Sequence, residues 1–131
     1  MAEALRGESL QAALTVGDLE RSMSWYTNVL GFDVERRHER GGQVIAVTLR
    51  AGSVRLLLTQ DDGAKGSDRM KGEGVSFQIT TQQSADALAD SIKVHGVTLD
   101  TEPVTMPHGA RVFRLRDPDG FRFAISSSHV A

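Results

Sequence analysis

The chain has 131 residues, no cysteine, 40% hydrophobic content and a formal net charge of −2. That length suits one domain with one core. The balanced charge gives no global field for nucleic acid or an anionic membrane. Without cysteine there are no disulfides, thiolate nucleophiles or Cys-based zinc sites. No apolar run approaches the roughly 18 residues of a membrane span. The stretch Met1 to Gly7 lacks an apolar signal core, so a soluble, cytoplasmic domain is expected.

After a loose leader over residues 1–8, Leu10, Ala12, Leu14 and Val16 alternate with Gln11, Ala13 and Thr15, the period of a first strand. Asp18 is placed to cap a helix carrying Leu19, Met23, Tyr26 and Leu30, widened by Trp25 and Val29 and stopped at Gly31. Phe32 to Arg40, Gln43 to Leu49 and Val54 to Thr59 read as three more strands, punctuated by Gly41-Gly42 and Ala51-Gly52-Ser53. Residues 61–73 are polar and glycine-rich, a linker or flexible loop.

The same order then repeats. Val75, Phe77 and Ile79 alternate as a strand, and Ser84 or a neighbour caps a helix bearing Ala85, Leu88, Ala89 and Ile92 that stops at Gly96. Val97 to Val104 and Arg111 to Leu115 follow as strands around the turn Pro107-His108-Gly109. The last turn, Asp117-Pro118-Asp119-Gly120, combines a preset φ with a glycine that accepts positive φ, and Phe121, Phe123 and Ile125 alternate after it. Superposing the halves sets Gln11 against Gly74, Gly31 against Gly96, and Val54 to Leu57 against Phe121 to Ala124. The expected fold is α+β. Two tandem βαβββ modules, about 9–60 and 74–128 within a single domain, form a curved mixed sheet around a cavity.

Leu14-Thr15-Val16-Gly17-Asp18-Leu19-Glu20-Arg21-Ser22, with Trp25-Tyr26 and Val29 to Phe32, resembles the opening of the glyoxalase/bleomycin-resistance/dioxygenase group, the vicinal oxygen chelate superfamily. The Asp117 to Gly120 turn resembles that group's closing hairpin, and the likeness covers roughly residues 9–128. It implies two modules curled around a cavity, where enzymatic members hold a divalent metal on His, Gln or Glu. The corresponding positions here are Gln11, Leu57, Gly74 and Ala124, and three of these four have no coordinating side chain. Sliding the fifth strand by one residue brings in only Glu73. No metal site and no cofactor are therefore expected, and no catalytic residue can be named. The resemblance also implies a homodimer, with modules paired within one chain or swapped between two.

By alternation the cavity face should carry Gln11, Ala13, Thr15, Arg55, Leu57 and Thr59, then Ser76, Gln78, Arg122, Ala124 and Ser126. The opposite face, with Leu10, Leu14, Leu56, Leu58, Phe77, Ile79, Phe123 and Ile125, should pack under the helices. A mixed polar and small cavity face suits holding a small organic molecule by hydrogen bonds and one or two fixed charges. Arg111, Arg114, Arg116 and Arg122 form a basic cluster. Alternation sends some into solvent, and one or two on the cavity face would be able to pair with an anionic ligand. His38, His95, His108 and His129 have no partner at ligand spacing and read as exposed surface histidines, while Trp25 and Tyr26 read as core. No nucleophile–base set, phosphate loop or basic–aromatic stripe is present. The reading that follows is a metal-free binder of the bleomycin-resistance type. The alternatives are a divergent lyase, isomerase or dioxygenase, with a metal on Gln11 and Glu73 or with metal-free acid–base chemistry, and an assembly or regulatory domain with a vestigial cavity.

Overall fold

In the first half of the chain, strand β1 (Ala12–Val16) leads into helix α1 (Leu19–Asn28), followed by β2 (Asp33–Arg40), β3 (Gln43–Ala51) and β4 (Val54–Gln60). The second half repeats this order as β5 (Ser76–Thr81), α2 (Ala85–Lys93), β6 (Thr101–Thr105), β7 (Arg111–Arg116) and β8 (Arg122–Ser127). This computed structural model describes residues 4–64 and 72–128, so most of the glycine-rich linker lies outside the described residues. Each module makes one mixed four-stranded sheet, ordered β1-β4-β3-β2 in the first and β5-β8-β7-β6 in the second. The outer strands β1 and β5 run parallel to β4 and β8.

The helices begin and end as their punctuation predicts. Asp18 accepts from the Arg21 amide, and Ser84 accepts from the Ala87 amide. Gly31 and Gly96 follow the two helices at φ +79° and +83°, the left-handed conformation that glycine adopts freely. The side chain of Gln60, at the end of β4, braces the start of α1. Its carbonyl accepts from the Leu19 amide at 2.9 Å, and its amide donates to the Gly17 carbonyl at 2.8 Å.

One core runs through both modules. Leu14, Leu56, Leu58, Phe123 and Ile125 are buried beneath the helices as alternation predicts, and Phe77 and Ile79 are half-buried against them. Leu10 departs from the expectation. It is 96% exposed and lies before β1, which starts only at Ala12, because Ala12 is the first residue with a rung on β4. The strand expected from Val97 is shorter too. Its ladder with β7 is irregular between Thr101 and Val104, around Pro103, which has no amide to donate.

The junction between modules is polar and centres on the Asp117–Gly120 turn. Tyr26 on α1 is fully buried, edge-on to Phe32 in its own module and to Phe123 in the other. Its hydroxyl donates to Asp117 Oδ2 at 2.7 Å, while Asp117 Oδ1 accepts from the Asp119 and Phe121 amides within the turn. Asp119 accepts from the Gly17 amide at 2.9 Å and from the Ser22 hydroxyl at 3.2 Å, with Arg21 at 3.6 Å. Burial and the neighbouring Asp117 push the Tyr26 phenol well above its ordinary value. Burial also raises the Asp117 carboxyl, against the Tyr26 and backbone hydrogen bonds that lower it. The turn is thus a clamp that fixes the second sheet onto the first helix.

Candidate functional site: the open sheet faces

The ladders assign the residues of β1, β4, β5 and β8 to one of two faces. Ala13 lies beside Leu57 and Thr15 beside Thr59, while Leu14 and Leu58 turn toward the helices. Ala12 pairs with Leu56, so Gln11, one residue earlier, stands level with Arg55. In the second module Ser76 lies beside Arg122 and Gln78 beside Ala124. Gln11, Thr15, Arg55, Leu57 and Thr59 therefore share one face of the first sheet, and Ser76, Gln78, Arg122 and Ala124 share the matching face of the second. Arg55, Ser76, Gln78 and Arg122 are exposed, and Leu57 and Ala124 half-buried. None of these residues lines the hollow of about 730 Å³ on the helix side, which runs between α2 and the Ala51–Ser53 turn with Leu88, Ile92 and Phe113.

Rung by rung, the partner of Gln11 in the second module is Ser76. Gly74, which superposition of the sequence halves sets opposite Gln11, lies in the turn before β5 at φ +76°. The correction leaves donor chemistry as poor as before. Gln11 and Ser76 offer one neutral amide and one hydroxyl, and Leu57 and Ala124 offer nothing. No cluster of three or more His, Asp or Glu able to hold a metal occurs among the described residues. A divalent ion takes three or four N or O donors with a compensating carboxylate, so these residues do not fit it.

What stands on that level of each sheet is a pair of arginines, with Asp33 opposite Arg50 on β2 in the first. Arg55 lies directly opposite Arg50 on β3, and Arg122 directly opposite Arg116 on β7. Glu35 serves the first pair, accepting from Arg55 Nε at 3.1 Å with Arg50 Nε at 3.9 Å. Asp100 serves Arg116 at 2.8 Å. Further along the first sheet, His38 Nε2 lies 3.1 Å from Thr48 Oγ1. His38 is half-buried on this face, opposite Ala46, and is not the exposed histidine that its place near a hairpin suggests. Register shifts at Val34/Arg36 and His38/Glu39 break the alternation of β2, so no simple period assigns Glu35 or His38 to a face. His95 and His108 are exposed as expected, and His129 lies outside the described residues. Arg111 falls on the helix side, where its guanidinium forks onto both Asp86 oxygens at 3.0 Å.

Comparison with known proteins agrees with this architecture. The model of the Glyoxalase/Bleomycin resistance protein/Dioxygenase superfamily matches residues 9–125. A lactoylglutathione lyase of Arabidopsis thaliana is 26% identical over 122 residues, covering 88% of this chain and 42% of the relative, so the chain spans under half of that enzyme's length. Among solved structures, a superfamily member from Sphaerobacter thermophilus superposes with a TM-score of 0.76 at 23% identity, covering 93% of this chain and 98% of that one. TioX from Micromonospora gives 0.76 at 17% identity over 93% and 99%. A glyoxalase I variant from Zea mays gives 0.76 at 25% identity, covering 92% of this chain and 44% of that one.

Proposed function

The chain belongs to the Glyoxalase/Bleomycin resistance protein/Dioxygenase superfamily, and within it we propose a protein that binds a small organic molecule and releases it unchanged, without a catalytic metal. The observation that carries this reading is the make-up of the two equivalent levels, Gln11 beside Arg55 and Ser76 beside Arg122. Arginines and uncharged side chains stand there, and a metal enzyme needs anionic or imidazole donors. Guanidinium groups next to the position would repel a divalent cation. The polar groups that remain, Thr15, Thr59, Ser76 and Gln78, can orient a ligand by hydrogen bonds over the apolar patch of Leu57 and Ala124.

The cavity forms when two copies meet. Arg55, Ser76, Gln78 and Arg122 on these faces are exposed, and the edge strands β1 and β5 each have a single partner, β4 and β8. Seating the first module's face of one copy over the second module's face of another closes a cavity lined by both sets and covers sheet edges. The assembly is then a homodimer. No helix among the described residues is long and apolar enough to cross a membrane.

The second reading, a divergent lyase, is favoured by the likeness to the Arabidopsis lactoylglutathione lyase. Equilibrium dialysis against a panel of aromatic and glycopeptide compounds, with mass spectrometry of both chambers, separates the two. Saturable retention of an intact compound is the expected result. Turnover of lactoylglutathione, lost on Gln11→Ala, would replace the binding reading with the lyase.

A further inference from the structure

Both modules carry the same unfavourable feature at the same height. In the first, Arg50 and Arg55 are directly opposed across β3 and β4; in the second, Arg116 and Arg122 are directly opposed across β7 and β8. Like charges on one rung, with Cβ atoms roughly 5 Å apart, destabilise a sheet. Arg114, two residues along β7 and opposite Ala124, adds a further cation to the same face of the second sheet. Against these five arginines stand three carboxylates: Asp33, opposite Arg50 on β2, with Glu35 in the first module, and Asp100 alone in the second. Neither Arg122 nor Arg114 has an ion pair or hydrogen bond with a side chain among the described residues, and both are exposed. An arginine pair that occurs in both modules, offset in the first by Asp33 and Glu35 but left with unpaired guanidinium groups in the second, is the arrangement expected where the missing counter-charge comes from the ligand.

We propose that the cavity selects an organic anion, whose acid group is received by Arg122 with Arg116 and Arg114 beside it, while Arg55 and Arg50 attract it from the first module. The guanidinium of Arg122 is planar, permanently charged and free to grip a carboxylate, sulfonate or phosphate with two parallel hydrogen bonds. Leu57 and Ala124, one step along each strand, would take the ligand's apolar body. This rests on the reading of the open sheet faces as a binding cavity.

The test uses two fluorescent probes with one aromatic skeleton, anilinonaphthalene sulfonate and its uncharged parent phenylnaphthylamine, titrated into the full chain. The sulfonate should bind about tenfold tighter, and Arg122→Gln should remove most of that preference without weakening the neutral probe. Arg122→Lys should keep part of it, as a point charge without the fork. Rising salt should weaken the sulfonate alone in the unaltered protein, a readout that does not depend on any variant folding. Because Arg122→Gln removes a like-charge rung, its melting temperature should not fall. Equal affinity for the two probes, or a preference unchanged by both Arg122→Gln and Arg55→Gln, would overturn the anion assignment and leave the binding cavity standing. Saturable binding of neither probe would overturn both.

Discussion

Replacing Tyr26 with phenylalanine removes one oxygen from the clamp and leaves its ring packing in place. The ring centroid keeps its neighbours at 5.0 Å (Trp25), 5.8 Å (Phe32) and 5.9 Å (Phe123). The lost contact is the 2.7 Å bond to Asp117, a residue only 5% exposed. A buried hydrogen bond to a carboxylate contributes about 1.5–3 kcal/mol. At about 4 °C per kcal/mol for a domain of this size, the melting temperature at pH 7 should drop by about 6–12 °C.

The pH dependence gives a second reading of the same bond. The folded phenol holds its proton to higher pH than the unfolded one, so the contribution of Tyr26 is complete below its ordinary value near 10. Above pH 10 the unfolded state ionises first, and stability falls by up to about 1.4 kcal/mol per pH unit. The advantage of the natural chain over Tyr26→Phe should therefore vanish by about pH 11.5. Tyr26 is the sole tyrosine, so ultraviolet absorbance of tyrosinate should appear only as the chain unfolds. A melting shift under 2 °C at pH 7, or tyrosinate forming near pH 10 with the fold intact, would refute the clamp.

Other consequences are as direct. Asp119→Ala should cost about 2 kcal/mol, and adding Ser22→Ala should cost little more, because both remove one contact; a double-mutant cycle by denaturant unfolding measures the coupling. Gly72→Ala should destabilise through its positive φ of +75° and a Cβ only 3.0 Å from the Gly120 carbonyl oxygen and Phe121 Cα, lowering the denaturation midpoint more than alanine at Gly63, which has open space. The Arg111 fork holds the Asp86 carboxyl below its ordinary value, so its contribution is present above about pH 4 and lost as pH falls further. The gap between the natural chain and Arg111→Ala in acid unfolding should close in that range.

The duplicated architecture was legible because its punctuation is local. Asp18, Gly31, Ser84 and Gly96 bound the helices through capping and left-handed backbone, which need no tertiary knowledge. Alternation placed Leu56, Leu58, Phe123 and Ile125 under the helices, because each lies in a strand without a register shift. The same pattern failed at Leu10, where the apolar period continues past the last available rung. The Asp117–Gly120 turn was readable as a turn, yet its grip on Ser22 and Tyr26 joins residues about ninety positions apart and has no local signature. Ser22 is buried for that reason, on a helix whose apolar stripe does not include it. The opposed arginines were visible only as a basic cluster, since the rung that sets Arg122 against Arg116 is a property of the ladder.

The central claim, that these sheet faces bind without a catalytic ion, is tested most directly by metal content. Protein prepared without chelators or a histidine tag should carry well under one equivalent of any divalent metal by elemental mass spectrometry. Its melting temperature should be flat across nickel, manganese, zinc and iron(II). Near-stoichiometric metal, with a melting rise that a chelator reverses, would contradict the account and turn the search from ligands to substrates.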